Sequence, residues 1–454
     1  MHEFVHCFGS NDPSSTTPPC VASPSTGQEG PIVCQTAGAA SLELTREDIV
    51  SMRSGSAAFG GGNLVDVKYI PGVIDGSGNI TTGSTVAFTR ELGLPAPRSL
   101  TPPRLACAGD QDIPDCVMVT TERTGSTDGT IRVWTMDDNS SSQGPQLHLT
   151  TTALLPSGNG TALTNPDIAF SREGATTYGS AVVVWSNPGM FPQFARLNMD
   201  TMQWVGVNTI TPAGGTLSKS EPRVAFDNAS HRYVIAFADA RHQIQFLVSN
   251  GNDPAAAGFA FGPPRRAGPY LNSDTGVGTN FTFTNILDVA PIGPFDIACH
   301  NHIKSGNDCR LIFHEFQNAV EDKDLKMVVC PFTVNAAAQT ITPGACNRTN
   351  SLQDAMVIGV TDYASVVAGT HPGPAWSLSV SRRFPGANFN TAVLLDGNGD
   401  FNPFDLGVRL FDIPSSASKF RWGGVAGDYC EWEHCNEFIF PTLVCDPSFS
   451  GECL

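Results

Sequence analysis

The chain has 454 residues, 41% of them hydrophobic, which is enough for a sizeable core and more than one ordinary domain needs. Its 43 acidic side chains against 26 basic ones leave a net charge of −17, which argues against nucleic acid or an anionic membrane as partner. The apolar runs fall far short of a membrane span, so a soluble chain is expected.

The first informative segment is His2-Glu3-Phe4-Val5-His6-Cys7-Phe8-Gly9-Ser10-Asn11-Asp12, which fits H-E-x-x-H-x-x-G-x-x-D. On a helix, His2 and His6 share one face and can take one zinc ion, with Glu3 beside it to deprotonate a bound water. Gly9 tolerates the positive φ of a helix end, and the reversal returns Asp12 as third ligand. Downstream, Thr45 can cap a helix with Asp48 at its third position, Ile49 and Met52 lie on one face, and Gly55 can stop it.

These segments resemble the metzincin metalloproteases, matrixin-like in the second helix and snapalysin-like in ending the signature with Asp. The resemblance implies zinc ligands His2, His6 and Asp12, with Glu3 as general base. It covers about residues 2 to 55 and departs from the family in two places. The only apolar stretch for the methionine turn is Ile32-Val33-Cys34, with Cys34 where Met is expected. Only Met1 precedes His2. The expectation is therefore either a protease whose upstream sheet lies in chain before Met1, or a remnant that cleaves nothing.

Residues 10 to 31 are rich in Ser, Thr, Pro and Gly and read as a loop within residues 1–55, the partial metzincin-like segment. From residue 56 to 454 short β-branched runs alternate with Gly, Pro, Asn and Asp turns. A longer repeat overlies them. Pro103-Arg104-Leu105-Ala106-Cys107 with Cys116-Val117-Met118 is followed by Pro166-Asp167-Ile168-Ala169-Phe170 with Ala181-Val182-Val183. Pro222-Arg223-Val224-Ala225-Phe226 with Tyr233-Val234-Ile235, and Phe295-Asp296-Ile297-Ala298-Cys299 with Cys309-Arg310-Leu311, continue it. Weaker copies start near Tyr363 and Gly424. The period, roughly 55 to 75 residues, predicts a mainly β fold, a β-propeller of six to seven blades. Residues 64 to 100 are expected to add strands that close the ring.

The 13 cysteines occur largely as close pairs: Cys107/Cys116, Cys299/Cys309, Cys330/Cys346, Cys430/Cys435 and Cys445/Cys453. Such short loops suit hairpin disulfides, hence an extracellular or periplasmic setting. Cys7, Cys20 and Cys34 are left over. Cystines at Cys107/Cys116 and Cys299/Cys309 would replace the aromatic pair Phe226/Tyr233 at one repeat position. Asn-x-Ser/Thr sites run from Asn79 to Asn347 and would be glycosylated only in a eukaryotic secretory pathway.

Other constellations compete for function. Asp396, Asn398, Asp400, Asn402 and Asp405 place oxygens at near-alternate positions in a Gly-rich loop, a candidate calcium site that departs from an EF-hand at Phe401 and Gly407. His300 and His302 share one side of an extended segment, and Glu431, Glu433 and His434 fill a tight loop. Arg104, Arg223 and Arg421 recur with the repeats and raise a sialidase-like glycosidase, in which three arginines would converge on a carboxylate. The sequence thus predicts a secreted zinc metalloendopeptidase acting on protein or peptide, with a propeller that binds protein or glycan. The alternative is a non-catalytic recognition propeller carrying a degenerate protease remnant, and the third reading is the glycosidase.

Overall fold

The structure is a computed structural model that describes residues 65–74, 80–101, 103–107, 116–124, 127–138, 146–156, 166–171, 179–186, 191–213, 222–238, 243–270, 282–283, 290–299, 309–316, 325–348, 363–368, 377–382, 390–396, 408–412, 420–422, 426–427 and 437–444. Every named element among them is a strand. The expected helices at residues 2–7 and 45–53 lie outside them.

The strands form six sheets. Three are four-stranded antiparallel meanders in chain order, for example Asp167–Ser171, Ser180–Trp185, Gln193–Asn198 and Gln203–Thr209. The innermost strands neighbour one another in a cycle: Arg104–Cys107, Asp167–Ser171, Arg223–Asp227, Ala290–Cys299, Tyr363–Ala368, Ala426–Gly427, and back to Arg104–Cys107. Among the described residues this cycle is a propeller arrangement of six blades. Blade 1 is the sheet containing Ala426–Gly427, and blades 2 to 6 follow in chain order from Arg104–Cys107.

Blade 1 joins the two ends of the described chain. Its inner pieces Phe420–Trp422 and Ala426–Gly427 pair with Glu437–Val444, which pairs antiparallel with Val65–Ile74 from Asp66↔Val444 to Val73↔Glu437. Strands from residues 65 to 99 therefore close the ring, as the sequence suggested, by completing the last repeat rather than adding a seventh blade.

The two-residue alternation of a strand explains why the inner strands read as continuous apolar runs. In blade 3, Ala181 and Val183 pack into the core shared with blade 2, while Val182 and Val184 pack into the core shared with blade 4. Both faces are covered, and Ser180–Trp185 is buried throughout. At the rim, Gln203–Thr209 packs only Trp204 and Val207 against the core shared with blade 2, and none of its residues is fully buried. Each core straddles two consecutive blades, so no blade completes its own hydrophobic interior.

Three hairpins share one tip. Asn198, Asp227 and Asn335 each accept the backbone N–H three residues on, from Thr201, Ser230 and Ala338. The residue after that, Met202, His231 or Gln339, takes a φ of 50–55°. Four-residue loops built on a type I turn need a left-handed residue before the return strand, and the Asx cap holds the turn that imposes it.

Candidate functional site

The repeat puts a charge at one matching position in four consecutive inner strands: the first residue of Arg104–Cys107, Asp167–Ser171 and Arg223–Asp227, and Asp296 within Ala290–Cys299. All four side chains are buried, Asp296 completely. Arg104 donates from Nε to Asp167 Oδ1 at 2.9 Å and from Nη2 to Asp296 Oδ1 at 2.7 Å. Arg223 Nε lies 3.8 Å from the same Asp296 oxygen and its Nη1 donates to the Pro222 carbonyl. Asp167 Oδ2 accepts the backbone N–H of Val224 at 2.9 Å, tying blade 3 to blade 4.

Blades 2 and 5 stand opposite one another in a ring of six, so the Arg104–Asp296 pair crosses the middle of the propeller. Among the described residues two guanidinium groups meet two carboxylates there. Charges this deep persist only when paired, because desolvation of an isolated ion far exceeds any packing gain. The two arginines expected to grip a ligand carboxylate thus do converge on carboxylates, but on Asp167 and Asp296 of the chain itself. Arg421 lies on Phe420–Trp422, opposite Leu443 of Glu437–Val444. Among the described residues the arrangement ties blades 2 to 5 together, which is a structural use of charge.

Three residues on from each of these charges, at the fourth position of the repeat, comes the expected exchange of cystine for aromatic pair. Cys107–Cys116 and Cys299–Cys309 are disulfides between directly opposed residues, and Phe226 and Tyr233 occupy the same rung with ring centroids 4.7 Å apart. Blade 3 has Phe170 opposite Ala181 there. Each rung faces the preceding blade, and Tyr233 Oη donates across that interface to the Ser180 carbonyl at 2.7 Å. Cys330 is disulfide-bonded as well. The pairings Val328↔Arg348 and Val329↔Asn347 lead to Cys330 opposite Cys346, the expected partner.

The zinc residues His2, Glu3, His6 and Asp12 lie outside the described residues. So do Asn398, Asp400, Asn402 and Asp405 of the calcium loop, whose first member, Asp396, ends the strand Asn390–Asp396 opposite Ser377. His300, His302, Glu431, Glu433 and His434 lie outside as well. The residues that the sequence argument passed over are Asp167 and Asp296. Both stood in the repeats, and the alternation Arg, Asp, Arg, Asp at one repeat position was the available signal. Among the described residues no helix is long and apolar enough to cross a membrane.

No family model matches the chain, and no curated protein matches its sequence. Its fold is distantly similar to solved β-propellers. The Dos1 propeller is 10% identical with a TM-score of 0.32, over 82% of this chain and 71% of that one. The Trypanosoma rangeli sialidase in complex with sialic acid is 10% identical with a TM-score of 0.39, over 80% of this chain and 57% of that one. U3-55K is 10% identical with a TM-score of 0.29, over 83% and 98%. The resemblance to a metzincin gains nothing from these comparisons. The mainly β, propeller-type reading rests on the strands and their cycle in this chain.

Proposed function

We propose that the chain couples a zinc metalloendopeptidase segment to an extracytoplasmic recognition propeller. The observation that carries the chemistry is the spacing of His2, Glu3, His6 and Asp12. In this reading His2, His6 and Asp12 hold the metal, and zinc, when bound, acidifies a water and polarises the peptide carbonyl. Glu3 takes the proton as the water attacks and passes it to the leaving amine. The propeller binds the protein or glycan to be presented, and its cystines suit life outside the cytoplasm.

The test is metal content and peptide-bond cleavage by the purified chain. Glu3→Ala is expected to keep zinc and lose roughly 100-fold or more in cleavage rate, while His6→Ala loses the metal. A chain that binds no zinc, or a Glu3→Ala variant that cleaves at the wild-type rate, defeats this reading.

A second reading, the recognition propeller without catalysis, is favoured by the ion-paired centre. Among the described residues Arg104 and Arg223 already face Asp167 and Asp296, so these four groups are engaged with one another rather than offered to a substrate. A folded chain free of zinc, with the thermal stability of a closed propeller, is the result that selects it.

A further inference from the structure

Asp227 ends the inner strand of blade 4 with its carboxylate turned toward blade 5. A carboxylate oxygen of Asp227 and the Sγ atoms of Cys299 and Cys309 all lie within 4.8 Å of one another. All three residues are buried, Asp227 to 2% exposure. Oδ2 caps the Ser230 N–H, whereas Oδ1 is buried without a hydrogen-bond partner. Burial pushes the Asp227 pKa up, and the Ser230 hydrogen bonding and the charge of His231 only oppose that shift.

The hairpin does not account for an acid at this position. Asn198 and Asn335 make the same cap with neutral amides. Cys107–Cys116 occupies the equivalent rung of blade 2, yet among the described residues no acidic or His ligand pair accompanies it. A buried carboxylate close to two sulfurs, with one of its oxygens lacking a donor, has the composition of a borderline-soft cation site.

We propose that Asp227, Cys299 and Cys309 form a redox-gated site for a divalent cation of the zinc class, closed while the disulfide stands and opened by an external dithiol. The dithiol delivers two electrons and two protons: the Cys299–Cys309 S–S bond breaks, two thiols form, and the dithiol becomes a disulfide. Cation uptake then releases both thiol protons to solvent as two metal–sulfur bonds form. Asp227 Oδ1 supplies the third ligand, leaving one tetrahedral position for water. With bond lengths of about 2.3 Å to sulfur and about 2.0 Å to oxygen, small side-chain movements suffice to bring the three atoms onto one ion. The surrounding core, including Phe295, Leu311 and Val234, keeps the site dry.

The experiment is Co2+ titration of the full chain after dithiol reduction and anaerobic removal of the dithiol. The expected result is one equivalent of thiolate-to-cobalt charge-transfer absorption, absent from the oxidised chain. Cys299→Ser with Cys309→Ser abolishes the band, Asp227→Asn weakens Co2+ binding roughly 10-fold or more, and Cys107→Ser with Cys116→Ser leaves it intact. His6→Ala also leaves it intact, since imidazole and carboxylate ligands give no sulfur band, so this test is separate from that of the peptidase reading. A band that survives the Cys299/Cys309 double substitution overturns the proposal, as does unchanged affinity in Asp227→Asn. Near-ultraviolet circular dichroism follows the fold throughout, and its loss on reduction without recovery on adding Co2+ overturns the proposal as well.

Discussion

In the repeat segment of the inner strands of blades 2 to 5, the charged first position and the fourth position lie roughly 10 Å apart along the chain direction, yet they hold the propeller in different ways. At the first position the partners come from other blades: Arg104 reaches Asp167 in the next blade and Asp296 across the ring. At the fourth position the covalent or aromatic partner is on the adjacent strand of the same blade, as in Cys107–Cys116 or Phe226–Tyr233. Interchange at the fourth position is therefore tolerated blade by blade, because a cystine and an aromatic pair each close the same rung. The first position allows no such independence, since each charge there serves more than one partner.

This contrast can be broken most forcefully at Arg104. Arg104→Ala leaves Asp296 and Asp167 short of a counter-charge in a buried site and is expected to cost about 3–5 kcal/mol in urea unfolding. A double-mutant cycle with Asp296→Ala should show coupling above about 1 kcal/mol. Additive losses would mean that the first position is no more cooperative than the fourth.

At the fourth position, Cys107→Ala with Cys116→Ala is expected to cost about 2–4 kcal/mol, from the freedom regained by the unfolded chain. Interchangeability has its own test: Phe226→Cys with Tyr233→Cys should form a third cystine of this kind, seen as the loss of two hydrogens by mass. Persistent free thiols there would show that the rung geometries differ. Tyr233→Phe keeps the ring but removes the bond to Ser180, and a loss of about 1–2 kcal/mol is expected in thermal unfolding.

Asp227 gives a pH signature. Its folded pKa is raised above the ordinary value of 3.8, so the native state holds the proton more tightly than the unfolded chain does. The penalty for its charge is present above the folded pKa and is relieved as pH falls from there toward 3.8. Wild type should thus gain stability relative to Asp227→Asn over that window in chemical unfolding. A constant difference between the two would refute the assignment. The smallest effect is expected at the exposed Arg98–Asp66 pair on the rim, where Arg98→Ala should change stability by less than about 1 kcal/mol.

Much of the fold was legible because the relevant contacts are local. Strand, short turn and strand recur in each copy, and cystine partners only 9 or 10 residues apart are forced onto opposite strands of one hairpin. The two-sided burial of Ser180–Trp185, beside the inner strand of blade 3, fits its unbroken apolar run Ala181-Val182-Val183-Val184. The buried carboxylates were less legible. Asp167 and Asp296 look like ordinary turn-side acids in a linear reading, and only the meeting of separate blades makes them counter-ions. For the same reason Arg104 and Arg223 resembled ligand-binding arginines until their partners were in view.

By itself the sequence determined the class of the chain: mainly β, repeated in units of one blade, stapled by local cystines, and headed by a zinc-type signature. The tertiary structure decided the number of blades and the closure, because Val65–Ile74 meets Glu437–Val444 only when the ring is complete. It also decided what the central charges do. Arg104 and Asp296 are 192 residues apart, and no spacing rule links residues at that distance. Their pairing follows from the radial arrangement of the blades, which brings Arg104, Asp167, Arg223 and Asp296 together, where a buried ion needs the opposite charge beside it.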